Sequence, residues 1–227
     1  MEASLLPHIR AVLFDLDGTL LDTLEDLANS TNRILAKEGF FLHTIPSYKQ
    51  FVGEGITMLV RRAVPPDLSD HGALISRLVA ELSEDYSRHC LDATRAYPGI
   101  GELLAGLEER GIPMAVLSNK PDAMVKMLVK HYFPQVAFAA VAGASKERPR
   151  KPDPTWARAI AQRLGIPPEQ CIFLGDSKTD MQTATAAGMY PIGALWGFRD
   201  AQELLAYGAK KLLKSPEELL AVVKAND

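Results

Sequence analysis

Cysteine is scarce. Only Cys90 and Cys171 stand in 227 residues, far apart, and nothing in their placement supports a disulfide framework. Cys171 opens an apolar, strand-like run and reads as a small buried residue. No apolar run approaches the roughly 20 residues that span a bilayer. Residues 1–10 lack a basic segment followed by an apolar stretch, which argues against a secretory signal. Charge of one sign is missing too. The formal net charge is -3 with acids and bases interspersed, so there is no footprint for nucleic acid or an anionic membrane. Internal repeats and low-complexity segments are absent as well. The expectation is a reduced, soluble, cytoplasmic protein. Its composition, 47% apolar and 23% charged, is that of an ordinary globular chain. Its length allows one large domain or a core with a smaller insert.

The chain is organised around residues 11–20, Ala-Val-Leu-Phe-Asp-Leu-Asp-Gly-Thr-Leu. The run begins as a strand buried on both faces and ends in two carboxylates, Asp15 and Asp17, followed by Gly18. Unpaired carboxylates are costly away from water, so a buried strand that ends in them aims them at something. In open parallel sheets that place is the site outside the carboxyl ends of the strands. The residue types suit a nucleophilic carboxylate beside a second acid, with glycine allowing a sharp turn. Two acids so close repel, and a cation is their natural partner. The plainer alternative is a capped turn in which Gly18 supplies the positive φ.

Apolar positions recur at three- and four-residue steps from Leu24 to Leu35, marking one helix face that stops near Gly39. Further helical patterns fill residues 44–91, and no strand pattern interrupts them. Residues 21–93 therefore read as a helical insert placed directly after the first strand. From Pro98 the rhythm alternates. Helices are expected at 100–110, 121–130, 154–164 and 178–187. Strands are expected at 113–117, 136–141, 171–174 and 190–194, before a final short βα unit. Alternation of this kind predicts βαβ units and a parallel, Rossmann-like α/β sheet covered on both faces, formed by residues 1–20 and 94–227.

Several of these strands end in polar groups: Asp15 and Asp17, Ser118 and Asn119, and Asp176. Parallel strands bring such ends to one edge of the sheet. A lysine from the loop at 143–152 is the fourth contributor, with Lys151 the best placed. In this order and spacing, the strings Asp15-Leu16-Asp17-Gly18-Thr19, Ser118-Asn119, Lys151-Pro152 and Gly175-Asp176-Ser177-Lys178-Thr179-Asp180 resemble the motifs of the haloacid dehalogenase superfamily. Within it, the chain is similar to the phosphoglycolate phosphatase-like branch, over essentially its whole length.

The resemblance implies roles that the residue chemistry supports. Asp15 would be the nucleophile, forming an aspartyl-phosphate. Asp17 would protonate the leaving oxygen and then activate water. Mg²⁺ would be held by Asp15, the Asp17 backbone carbonyl and Asp176. Ser118, Lys151 and backbone N–H groups near Asn119 would hold phosphate oxygens, where charge develops. Thr19 would orient Asp17 by a hydrogen bond. Asp180 would act one layer out, through a metal-bound water or by fixing Lys151.

An acid at position 17 favours phosphate transfer over dehalogenation, because only the former needs that proton delivered. The phosphonatase branch lacks this acid too. The β-phosphoglucomutase-like branch carries a histidine where this chain has Leu27. In the insert, Phe51-Val52-Gly53-Glu54-Gly55 and the helix after it resemble the cap loop and helix of the phosphoglycolate phosphatase-like branch. Gly53 and Gly55 would let the loop come close to a substrate, and Arg62, or else Arg61, would fork onto a substrate carboxylate. The alternative is that the glycines shape a helix junction and the arginines are solvated. A helical cap over a charged site also suggests closure, hinged near residues 20–22 and 93–98.

The expected activity is a Mg²⁺-dependent phosphatase acting on a small phosphorylated metabolite. Phosphoglycolate leads, with pyrophosphate and sugar phosphates as alternatives. A mutase-like phosphotransferase and a non-enzymatic binding scaffold rank lower. No nucleic-acid or membrane partner is expected, and the chain reads as a monomer or weak dimer.

Overall fold

The computed structural model describes residues 9–223. Strand β1 (Ala11–Phe14) is followed by the two-residue β2 (Leu21–Asp22). Helices α1 (Leu24–Lys37), α2 (Tyr48–Phe51), α3 (Ile56–Ala63) and α4 (Gly72–His89) come next. Strand β3 (Arg95–Ala96) returns to pair with β2. Helix and strand then alternate through α5 (Ile100–Glu109), β4 (Met114–Pro121), α6 (Asp122–Tyr132), β5 (Ala140–Ala144) and α7 (Thr155–Leu164). The chain closes with β6 (Cys171–Gly175), α8 (Lys178–Ala187), β7 (Tyr190–Ala194), α9 (Ala201–Ala206) and β8 (Lys211–Leu213).

Two compact units result. One comprises the chain up to Leu20 and from Ala96 onward; the other is Leu21–Arg95. The second boundary expected from the sequence lies between residues 93 and 94. The buried Asp26 carboxylate explains the difference, because it accepts hydrogen bonds from the Ala93 and Thr94 amides (2.9 and 2.8 Å) and from the Thr94 hydroxyl (2.7 Å). Those bonds tie residues 93 and 94 to α1.

The first unit is built on a six-stranded sheet in the order β5-β4-β1-β6-β7-β8, every neighbouring pair parallel. β1 is fully buried, as its unbroken apolar run requires. Ala11, Leu13, Ala115, Leu117, Cys171 and Phe173 face one way, following the two-residue period of a strand. Against them pack Ala157, Ile160 and Ala161 of α7 and Ala184 and Ala187 of α8. Burial of Cys171 pushes its thiol up to about 11, in keeping with an inert core residue, and both cysteines are free. Strand order reverses at β1, which has β4 on one side and β6 on the other. That is the switch point where open α/β sheets place ligands.

One strand lies elsewhere than expected. Residues 136–139 lie outside the strand, which forms at Ala140–Ala144 instead. Val136 folds back to the Phe133 carbonyl, and Phe133 and Phe138 meet edge to face at 6.2 Å. The apolar run thus serves local packing before the chain enters the sheet. In the Leu21–Arg95 unit, α1, α3 and α4 bury apolar stripes, and the Arg33 guanidinium on α1 grips Asp85 on α4 at 2.6 Å. Among the described residues, no helix is long and apolar enough to cross a membrane.

Candidate active site

The site begins where β1 ends. Asp15 is 6% exposed; its amide donates to the Leu174 carbonyl of β6, and its carboxylate accepts the Leu16 amide at 2.7 Å. The turn that follows passes Gly18 at φ +89°. A Cβ there would sit 2.3 Å from Asp176 Oδ2, so only glycine lets the β1 turn lie against the acid from β6.

Asp176 follows β6 directly and is 1% exposed. Its two oxygens accept from the Thr19 hydroxyl (3.3 Å) and from the Phe198 amide (2.8 Å). Thr19 was expected to hold Asp17; its hydroxyl donates to Asp176 instead, because β1 and β6 are neighbours and the Gly18 turn brings the two side chains together. Trp196, on the loop after β7, donates its indole N–H to the Thr19 carbonyl at 2.9 Å and ties that loop to the same turn. Helix α8 starts at once with a reciprocal cap between Ser177 and Asp180. Asp180 is fully buried; Oδ2 accepts from the Ser177 amide and hydroxyl, and Oδ1 accepts from the Lys151 ammonium at 2.6 Å.

Lys151 arrives from the loop before α7, and its ammonium also lies 2.8 Å from Asp15 Oδ1. The Asn119 side chain clamps the Lys151 main chain in both directions, accepting from its amide at 2.8 Å and donating to its carbonyl at 3.0 Å. Asn119 therefore fixes the lysine-bearing loop to the end of β4. Ser118, on the same strand, is buried, and its hydroxyl accepts the Lys120 amide at 3.3 Å.

Lys120 was not singled out in the sequence. Strand β4 continues through Ser118 and Asn119 to Pro121, and the extra length carries Lys120 inward. Its side chain is 5% exposed, with the ammonium 2.7 Å from Asp17 Oδ1. A lysine directly after the Ser-Asn pair was the one available signal.

Burial dominates the electrostatics. It pushes the Asp15 carboxyl up to about 7; Asp180 adds to the rise and the Lys151 ammonium opposes it. Asp176 is raised well above the usual carboxylate range, by burial first and then by Asp180 and Asp15. For Lys151, burial acts downward, but Asp15 and Asp180 outweigh it and hold the ammonium above its ordinary value. Asp15, Asp176 and Asp180 offer oxygens all within 4.8 Å of one another. Three buried acids facing one buried lysine are short of positive charge, and an all-oxygen donor set suits a hard divalent cation. These residues fit such an ion.

In the Leu21–Arg95 unit, Gly53 and Gly55 take φ +107° and +90°, and Gly55 leads into α3. The Arg62 guanidinium folds onto its own loop, 2.6 Å from Glu54 Oε1 and 3.1 Å from the Phe51 carbonyl. The fork expected to meet a substrate carboxylate is thus engaged within the loop, because Glu54, eight residues earlier, supplies an acid within its reach. Arg61 is exposed and reaches Asp70 at 3.5 Å.

The chain is similar to known proteins over most of its length. The family model for haloacid dehalogenase-like hydrolases matches residues 12–194. A phosphoglycolate phosphatase of Pseudomonas putida is 32% identical over 215 residues, covering 93% of this chain and 78% of that one. The phosphoglycolate phosphatase of Chromobacterium violaceum is 33% identical over 221 residues, covering 96% and 98%. A crystal structure assigned as a phosphoglycolate phosphatase, from Lactobacillus delbrueckii subsp. bulgaricus, superposes with a TM-score of 0.89 at 30% identity and covers 96% and 99%.

Proposed function

The chain belongs to the haloacid dehalogenase-like hydrolases, and from that premise we propose a Mg²⁺-dependent phosphatase that cleaves a small phosphomonoester through an aspartyl-phosphate on Asp15. One observation carries the reading: Asp15, Asp176, Asp180 and Lys151 converge, buried, at the switch point of the sheet. The names of the two bacterial relatives make phosphoglycolate the first substrate to test.

In this reading a carboxylate oxygen of Asp15 attacks phosphorus while the P–O bond to the leaving group breaks. Asp17 gives its proton to that leaving oxygen, so the alcohol departs neutral and Asp17 is left as a carboxylate. A water then attacks the phosphorus of the acyl phosphate and yields its proton to Asp17. Asp15 is freed, and Asp17 is ready for another round. Ser118 and Lys151 hold phosphate oxygens as charge spreads over them. Asn119 sets the position of Lys151 through its main chain, and Asp180 through its ammonium. The cation would be held by Asp15, Asp176 and the Asp17 carbonyl; when bound it offsets the crowded negative charge and polarises the phosphate.

The test is phosphate release with and without Mg²⁺ from phosphoglycolate, pyrophosphate, sugar phosphates, nucleoside monophosphates and p-nitrophenyl phosphate. Asp15→Asn is the control. Metal-dependent turnover that vanishes in the variant is the expected result. A folded protein that turns over none of them with Mg²⁺ present contradicts the reading.

A further inference from the structure

We propose that Lys120 is the positioning residue for Asp17. Its ammonium holds one carboxylate oxygen so that the other faces the leaving group and, later, the water. The inference rests on the acid–base role given to Asp17 above and adds a residue to it.

Three observations carry it. The Lys120 ammonium stands 2.7 Å from Asp17 Oδ1 with its side chain 5% exposed, so this charge-assisted contact is shielded from solvent. The Thr19 hydroxyl, the neighbouring group expected to orient Asp17, is bonded to Asp176. Lys120 is itself anchored at the end of β4, with its amide on Ser118 Oγ. Asp17 follows β1, the strand beside β4. Asp17, in the turn after β1, and Lys120, at the end of the neighbouring β4, are thereby brought together. A carboxylate with one oxygen fixed presents the other along a defined line, which proton transfer in a transition state demands.

Proton transfer to the leaving oxygen matters in proportion to how basic that oxygen is. An alkyl phosphate such as phosphoglycolate releases an alkoxide unless it is protonated; p-nitrophenolate leaves unassisted. Lys120→Met should therefore lower kcat/KM on phosphoglycolate by about 10²-fold, the low end of what general acid catalysis supplies. Its kcat/KM on p-nitrophenyl phosphate, which reads phosphoryl transfer to Asp15 and not the later attack by water, should change by no more than a few-fold. Lys120→Arg, which keeps a cation within reach, should restore part of the loss. In an Asp17→Asn background, Lys120→Met should have little further effect, since the group it positions is gone. Should the methionine variant not fold, Lys120→Gln carries the same comparison. An equal loss of kcat/KM on both substrates, or no loss on phosphoglycolate, overturns the positioning role while the wild-type phosphatase stands. A wild type that releases no phosphate overturns the parent reading and this one with it.

Discussion

The Lys151 ammonium lies between two carboxylates that the chain separates widely, 2.8 Å from Asp15 and 2.6 Å from Asp180. Its side chain is 3% exposed, so this is a buried ionic cluster rather than a surface pair. Clusters of this kind add little to stability as a whole, but removing one partner is costly because the others keep their charge. Lys151→Met should destabilise the protein by about 3 kcal/mol in thermal or denaturant unfolding. Adding Asp180→Asn should recover part of that loss, since it removes a charge the lysine had compensated. Independent, additive losses would show that the cluster is not coupled.

Metal binding and protonation compete at the same oxygens. Asp15 has a folded-state pKa raised from 3.8 to about 7, chiefly by burial. Between those values the folded protein holds the proton more tightly than the unfolded chain does. The stability this proton contributes is complete below the lower value and is lost as pH rises through the upper one. Protein freed of metal with a chelator should accordingly lose thermal stability across that window. Added Mg²⁺ should restore more stability at the alkaline end than at the acid end, with apparent affinity rising through about pH 7. A Mg²⁺ effect independent of pH would contradict the assignment of Asp15 as a ligand.

Thr19 reaches Asp176 and not Asp17, so Thr19→Val should act on the metal. Removing a hydrogen bond to a ligating carboxylate typically weakens metal affinity by about 10- to 100-fold. Activity should recover at high Mg²⁺. A loss that saturating Mg²⁺ leaves unchanged would point away from Asp176.

Glycines 18 and 39 make a controlled pair. Both have positive φ, +89° and +70°, but only at Gly18 would a methyl meet an atom, Asp176 Oδ2 at 2.3 Å. Gly39→Ala should carry only the conformational cost of about 1 kcal/mol. Gly18→Ala should cost more and should abolish Mg²⁺-dependent turnover. Equal effects from the two substitutions would mean that contact with Asp176 does not matter.

Asp26 fastens residues 93 and 94 to α1 through three hydrogen bonds to a buried carboxylate. Asp26→Ala leaves those donors without it and should speed amide exchange at residues 93 and 94 by about 10-fold or more, since each unmade bond costs about 1–3 kcal/mol. Exchange at β1 should stay slow.

Local signals were the legible part of this chain. The apolar run ending in Asp15 and Asp17 marked β1, and the helix at Lys178–Ala187 and the strand at Tyr190–Ala194 fall where their patterns put them. Strand order could not be read locally, yet it decides which polar ends become neighbours. That is why Thr19 was aimed at its near neighbour Asp17 and is found on Asp176, 157 residues away. It is also why Lys120, paired with Asp17 across 103 residues, left no mark beyond its place after Ser118 and Asn119. Residues 136–139 misled for a different reason: a β-branched and aromatic run reads as strand, while Val136 bonds back to Phe133 and the strand starts only at Ala140.

The most direct test of the account is to stop turnover early. Enzyme mixed with Mg²⁺ and a phosphomonoester is quenched in acid within its first turnovers, digested, and the peptide bearing Asp15 is weighed. The expected result is a peptide heavier by one phosphoryl group, localised to Asp15 and absent from Asp15→Asn. An unmodified peptide, found while phosphate is released at the full rate, would mean that water attacks the substrate directly and would contradict the nucleophile assigned here.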